Sequence, residues 1–269
     1  MSLPGTPEVK PQRFDLSEGM VGFAWQPEKE TADPVVLIHG FAASTTVNWV
    51  NTGWVKRLLA AGHRVLSLDL PGHGRSSDPV ELEHYSRHAL LNYIVELMDA
   101  TNTQAAQLLG YSFGSRVAWQ FAVEHPDRSI ALGLGGSSPN DRLAMLKIDQ
   151  IEQHLIDGSE IEDYLTEELF RVANLVPSRL GGKLQLARAA QKWPYSPVDH
   201  IPQLPIIAVT GTEDTLAADS PELIEAAAGN GYENKFVWVE GRDHGNVSSS
   251  REYKLAVIDF FAENSSANT

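Results

Sequence analysis

The residues Leu108-Leu109-Gly110-Tyr111-Ser112-Phe113-Gly114-Ser115-Arg116 decide how the rest of the chain is interpreted. Apolar residues from Ala105 to Leu109 lead into this stretch, and a helical pattern from Val117 to Glu124 follows it. The order predicts a strand, a tight turn centred on Ser112 and a helix, which is the arrangement of a nucleophile elbow. A glycine stands two positions before and two positions after the serine because a Cβ at either place would clash with the neighbouring chain.

Short, mostly apolar runs recur on both sides of this elbow, and helical patterns separate them. Runs without polar alternation are typical of strands that are buried on both faces of a parallel sheet. We predict strands at residues 35–38, 65–68, 105–109, 130–134, 205–210 and 235–239, preceded by a hairpin of residues 13–16 and 21–25. Alternating strands and helices predict an α/β fold with a doubly wound, mostly parallel sheet.

The alternation is interrupted in the segment between Gly135 and Gln203. This segment has no strand pattern, and its helical patterns cover residues 143–154, 161–172 and 183–192. We therefore predict a small helical cap inserted before the strand of residues 205–210. The expected domains are residues 1–135 for the first part of the core, 136–203 for the cap and 204–269 for the second part of the core.

Composition narrows the possible functions. The chain has 269 residues, a net charge of −14 and no cysteine, which excludes disulfides and thiol catalysis. An acidic balance argues against binding to nucleic acid or to anionic membranes. The amino end has no apolar segment typical of a signal peptide, and no apolar run reaches the roughly 18 residues of a membrane span. We expect a soluble, cytoplasmic protein with a polar, frayed carboxyl end.

A nucleophilic serine needs an imidazole to take its proton and a carboxylate to orient that imidazole. Two later strand ends supply these groups, with Asp214 in Gly211-Thr212-Glu213-Asp214 and His244 in Gly241-Arg242-Asp243-His244-Gly245. The chain order Ser112, Asp214, His244 is the one expected for this type of elbow. Each residue alone has an ordinary structural explanation, but the three together predict a catalytic triad. Glu213 and Asp243 remain the competing carboxylates.

The oxyanion of the reaction needs hydrogen-bond donors that are in place beforehand. One predicted donor is the backbone N–H of Phe113, directly after the serine, and the other is the N–H of Phe41, with Ala42 as a lesser alternative. His39 and His73 lie in neighbouring glycine-containing loops. We expect both imidazoles to order these loops rather than to act as catalytic bases.

Several motifs of the chain resemble those of the α/β-hydrolase fold superfamily: His-Gly-Phe at 39–41, Asp-Leu-Pro-Gly-His-Gly-Arg-Ser at 69–76, the elbow, Gly-Thr-Glu-Asp at 211–214 and the late Asp-His. Residues 48–54 also resemble a group of small bacterial hydrolases. The resemblance implies the triad and oxyanion donors named above, and an esterase or related acyl hydrolase without cofactor or metal.

The same superfamily includes other chemistries, and individual residues distinguish them. Haloalkane dehalogenases and epoxide hydrolases have an aspartate at the elbow, where this chain has Ser112. Cofactor-free haloperoxidases typically have Met where this chain has Phe113. The menaquinone-pathway lyase shares Gly-Tyr-Ser-x-Gly-x-Arg, so Arg116 could bind a substrate carboxylate, although an ordinary salt bridge is the simpler role. C–C bond hydrolases share the triad and stay open.

The leading prediction is a serine carboxylesterase that cleaves small or medium acyl esters through an acyl-enzyme on Ser112. Apolar residues of the cap could wall an acyl pocket, although at helical spacing most of them must pack the cap on the sheet; these are Leu143, Leu146, Leu155, Tyr164, Leu165, Phe170 and Val172. Trp193 and Tyr195 are further candidates for the pocket wall. A ligand sensor with a vestigial triad is the alternative outside enzymology. The expected partner is a small-molecule ester, and no oligomeric state follows from the sequence.

Overall fold

A computed structural model of the chain describes residues 10–175 and 179–266. Predictions for residues 1–9, for the cap residues 176–178 and for the end of the polar tail at 267–269 lie outside this range. Eight strands form one sheet: β1 Gln12–Asp15, β2 Val21–Trp25, β3 Ala32–Ile38, β4 His63–Asp69, β5 Ala106–Tyr111, β6 Ser129–Gly135, β7 Ile206–Gly211 and β8 Asn234–Val239.

The strand order in the sheet is β1-β2-β4-β3-β5-β6-β7-β8. The first hairpin pairs antiparallel, β2 also runs antiparallel to β4, and all pairs from β4 to β8 are parallel. The carboxyl ends of β3, β5, β6, β7 and β8 therefore lie along one edge of the sheet. This topology confirms the predicted α/β fold with a doubly wound, mostly parallel sheet.

The described residues also form eight α-helices: α1 Trp54–Ala60, α2 Arg87–Ala100, α3 Phe113–Glu124, α4 Ile148–Asp157, α5 Tyr164–Ala173, α6 Leu180–Gln191, α7 Pro221–Ala227 and α8 Arg251–Glu263. The packing around strand β3 explains why the sequence of this strand shows no polar alternation. Val36 and Ile38 pack into a core with α2 and α3, whereas Val35 and Leu37 pack on the opposite face, in a second core that includes residues of α1 and α8. Both faces of the strand are covered, as predicted.

Helices α4, α5 and α6 occupy the segment between β6 and β7, and no strand occurs there among the described residues. The boundaries of the predicted cap domain stay predictions. The first cap helix begins later than predicted, at Ile148 instead of residue 143. Asp141 accepts a hydrogen bond from the Ala144 N–H, which closes a turn at that point. Leu143 and Leu146 are instead buried against the main core.

In residues 10–175 and 179–266, none of the helices has both the length and the apolar character needed to cross a bilayer.

Candidate active site

The elbow has the strained geometry that its sequence predicts. Strand β5 ends at Tyr111, helix α3 begins at Phe113, and Ser112 between them has φ 53° and ψ −119°. A Cβ at Gly110 would overlap the carbonyl of Gly114, and a Cβ at Gly114 would overlap the Ile38 carbonyl oxygen in β3. Glycine is therefore required at both positions, because backbone atoms cannot move aside as a side chain can.

Ser112, Asp214 and His244 meet at the edge of the sheet where their strands end. His244 Nδ1 lies 2.8 Å from Asp214 Oδ2, and His244 Nε2 lies 3.0 Å from Ser112 Oγ. The Nδ1–H donates to the carboxylate, so Nε2 has its lone pair free to accept the serine hydroxyl proton. The Tyr111 hydroxyl donates to the His244 carbonyl oxygen and holds the histidine loop against the elbow.

The carboxylate that contacts His244 belongs to Asp214 rather than to Glu213 or Asp243. The Asp214 side chain is fully buried, and its second oxygen accepts the N–H groups of Leu216 and Ala217. Glu213 is exposed, whereas Asp243 accepts backbone N–H groups of its own turn. The two competing carboxylates are therefore not placed at the imidazole.

The two predicted oxyanion donors lie beside the serine. Phe41 and Phe113 line the same cavity as Ser112 and His244, and in the described part of the chain neither backbone N–H has a protein acceptor. The alternative donor is already in use, because the Ala42 N–H donates to His73 Nε2 at 3.1 Å. The geometry therefore favours Phe41 over Ala42 as the partner of Phe113.

Two buried histidines order the loops that surround this oxyanion region. His39 Nδ1–H donates to the Gly40 carbonyl, and its Nε2 accepts the Leu70 N–H. His73 Nδ1–H donates to the Pro71 carbonyl, which leaves its Nε2 for the Ala42 N–H. Burial lowers the pKa of His39, and burial followed by the charge of His39 lowers the pKa of His73 to about 3. Both rings are neutral structural elements at neutral pH.

A cavity of about 190 Å³ opens onto Ser112 and His244. Its apolar wall comes from the oxyanion loop, the cap and the acid loop: Phe41, Leu143, Leu165, Leu169, Val172 and Leu216. Of the other proposed wall residues, Leu146 is buried in the main core and Phe170 in the packing of the cap helices, whereas Leu155 and Tyr164 are exposed. No three His, Asp or Glu side chains of the described ranges are grouped so that they could hold a metal ion.

Arg116 lines the cavity, but its guanidinium is already paired with groups of the protein. Its Nη1 lies 2.5 Å from Asp141 Oδ2, and its Nη2 donates to the carbonyls of Ala190 and Trp193 at 3.1 and 2.6 Å. The residue is only 5% exposed. It joins helix α3 to the end of α6, where the helix dipole favours a cation.

Tyr195 lines the cavity, as predicted, whereas Trp193 supports it from behind. The Arg116 guanidinium carbon lies 4.2 Å from the Trp193 ring centroid and 5.0 Å from the Tyr195 ring centroid. Trp193 also packs edge-on against Phe113, with 6.1 Å between the ring centroids. The two aromatic residues thus form a stack around the arginine, and only one of them faces the cavity.

Sequence reasoning missed a second ionic cluster that fixes the wall of the cavity. One oxygen of Asp219 accepts from Ser138, Asn140 and Arg142 at 2.9, 2.6 and 3.1 Å. The Arg142 Nε also donates to the Leu216 carbonyl, so the segment after β6 is tied to the acid loop. The only signal for this cluster was that both segments follow the carboxyl ends of strands.

Comparisons with known proteins agree with this fold. A family model described as the alpha/beta hydrolase fold matches residues 33–147. The chain is 35% identical over 105 residues to the 2-hydroxymuconate semialdehyde hydrolase of Pseudomonas sp. (strain CF600), covering 39% of this chain and 36% of that protein. It is 35% identical over 102 residues to epoxide hydrolase B of Mycobacterium tuberculosis, covering 38% and 28%. The matches thus span about a third of these curated relatives.

Solved structures cover nearly the whole chain. One is reported in a study of carboxylesterases of Nitrososphaera gargenis and superposes with a TM-score of 0.72 at 18% identity, covering 94% of this chain and 98% of that one. The enol-lactonase of Burkholderia xenovorans LB400 gives a TM-score of 0.68 at 20% identity, covering 93% and 100%. At such identities the likeness establishes the fold. The sheet topology, the family match over residues 33–147 and these structural neighbours together show that the chain has the α/β-hydrolase fold.

Proposed function

We propose that this protein is a serine hydrolase of the carboxylesterase type, which cleaves small acyl esters through an acyl-enzyme on Ser112. One observation carries the proposal: hydrogen bonds run from Ser112 Oγ through His244 to the buried Asp214, at the mouth of an apolar cavity. Such a relay raises the nucleophilicity of a serine hydroxyl, whose ordinary pKa leaves it protonated at neutral pH.

The mechanism uses these residues in sequence. His244 Nε2 takes the hydroxyl proton while Ser112 Oγ attacks the ester carbonyl, and the Asp214 carboxylate stabilises the resulting imidazolium. The Phe41 and Phe113 N–H groups bind the oxyanion of the tetrahedral intermediate. The imidazolium then protonates the leaving alcohol, and water, activated by the same imidazole, hydrolyses the acyl-enzyme.

The cavity favours a small acyl group. Its volume of about 190 Å³ lies below the range of about 300–1,000 Å³ common for small-molecule sites. Apolar side chains of the cap, Leu143, Leu165 and Val172, form much of its wall. A short, uncharged acyl chain fits this lining better than a carboxylate-bearing one.

The alternative reactions of the superfamily that act on a carboxylate need a cationic side chain that is free to bind it. The similarity to a 2-hydroxymuconate semialdehyde hydrolase keeps C–C bond hydrolysis as a second candidate. A lyase or C–C hydrolase acting on a carboxylate would need a free cation, and Arg116 is instead paired with Asp141 and two carbonyls. A sensor with a vestigial triad would hydrolyse esters very slowly or only once. The intact hydrogen-bond relay supports turnover instead.

The decisive experiment is hydrolysis of p-nitrophenyl esters from acetate to decanoate. We expect the highest kcat/KM for the short chains, and a loss of about 10³-fold or more in kcat for Ser112→Ala and Asp214→Asn. Glu213→Gln is the matched control and is expected to retain its activity. Substantial turnover by the folded Ser112→Ala variant would overturn the proposal, and inactivity of Glu213→Gln alone would transfer the acid role.

A further inference from the structure

A second cavity lies between helices α1 and α8 and shares no lining residue with the candidate active site. The two helices are held together by Trp54, whose ring packs edge-on against Tyr253 with 4.9 Å between centroids. The Trp54 Nε1–H also donates to the Ser248 carbonyl at 2.8 Å. The cavity between the helices is partly open to solvent, and its volume of about 490 Å³ lies within the range of about 300–1,000 Å³ common for small-molecule sites.

The lining of this second cavity is strongly cationic. It contains Lys56 and Arg57 from α1, Arg251 and Lys254 from α8, and the hydroxyl residues Thr52 and Ser249, with no carboxylate. The whole chain, by contrast, has 35 acidic and 21 basic residues. The charge of this lining is thus opposite in sign to the net charge of the chain.

The four cations are also left without anionic partners. In the part of the chain that the structure describes, no carboxylate lies within ion-pair distance of any of them. Lys254 is only 6% exposed, and its Nζ donates to the Ser249 carbonyl at 2.6 Å. An ammonium group has three donors, so an anion in the cavity can still bind to it. Burial, followed by the charge of Arg57, lowers the pKa of Lys254.

We propose that the α1–α8 cavity binds a small polyanion that carries at least two phosphate groups. Two guanidinium groups suit the paired oxygens of phosphates, and two ammonium groups add point charges from opposite helices. A bound polyanion would also relieve the mutual repulsion of the four cations, which no carboxylate of the described chain compensates. A single chloride ion or another monoanion cannot neutralise the cations on both helices at once.

The test is calorimetric titration of the full chain with inorganic pyrophosphate, at an ionic strength held constant with sodium chloride. We expect saturable binding at one site, with an affinity about tenfold or more above that for orthophosphate. Lys56→Gln combined with Arg251→Gln is expected to weaken pyrophosphate binding by about tenfold or more, since two of the four charges are lost. Both side chains are exposed, so we expect the fold to be retained, and a Tm that does not fall checks this.

The matched control is Lys29→Gln combined with Lys235→Gln, which changes the net charge equally at two exposed positions outside the cavity. This control is expected to bind pyrophosphate like the unmodified protein. No saturable binding, equal binding of orthophosphate, or an equal loss in the control variant would each overturn the proposal. Because the cavity does not touch Ser112, the titration gives its answer whether or not the esterase proposal holds.

Discussion

The pair of Arg116 and Asp141 offers the sharpest test of how the cap is attached to the core. Arg116 is 5% exposed, and the side chain of Asp141 is 14% exposed. Removing one member of a buried ion pair leaves the other charge without compensation, which typically costs about 3–5 kcal/mol of unfolding free energy. Asp141→Asn is expected at the lower end, about 3 kcal/mol, because Arg116 keeps two carbonyl acceptors and its aromatic stack.

The assay is a double-mutant cycle measured by urea unfolding, with tryptophan fluorescence as the probe because Trp193 stacks directly on Arg116. The variants are Asp141→Asn, Arg116→Met and the combination of both. We expect the double variant to lose at least about 1.5 kcal/mol less than the sum of the single losses, since neither charge is then stranded.

The competing role for Arg116, binding of a substrate carboxylate, makes the opposite prediction. In that case Arg116→Met would change the unfolding free energy by less than about 0.5 kcal/mol, as for an uncoupled surface substitution. It would instead raise KM for carboxylate-bearing esters and leave KM for neutral esters unchanged. That pair of results would refute the structural role.

Two further perturbations test the loop and cap contacts. The pKa of His73 is about 3 in the folded chain and about 6.5 in the unfolded chain. Between these values the unfolded state binds more protons, so the free energy of unfolding decreases as the pH is lowered. From pH 7 to pH 5 this group lowers the free energy of unfolding by about 2 kcal/mol. Urea unfolding at both pH values should therefore show a pH dependence that is smaller by this amount for His73→Asn than for the unmodified protein. An equal pH dependence of the two proteins would contradict a neutral, buried ring. Gly182→Ala would place its Cβ 2.5 Å from the Gly72 Cα, so we expect a loss of about 1–3 kcal/mol and faster proteolysis of the cap. The neighbouring Gly181→Ala meets nothing within 4 Å and should be neutral or slightly stabilising; equal behaviour of the two variants would argue against close packing of α6 on the core.

The parts of the fold that the sequence predicts well depend on neighbours along the chain. Apolar runs identify the parallel strands of the sheet, and the two glycines around Ser112 mark the elbow, because periodicity and backbone strain are local properties. The order of Ser112, Asp214 and His244 is also readable, since each follows a strand and parallel strands end at one edge. The start of α4 was misplaced because Leu143 and Leu146 have helical spacing but are held by tertiary packing.

Sequence by itself determined the sheet, the elbow and the residues available for the relay. Only the tertiary structure decided which of them meet. Glu213 and Asp214 are adjacent in sequence, yet one side chain is exposed and the other reaches His244, because side-chain direction depends on how the loop folds. Arg116 and Asp141 are 25 positions apart, and the cationic cavity is lined by α1 and α8, which are far apart in the sequence. Charges interact through space, so their partners follow from the packing of the helices and not from their spacing in the sequence.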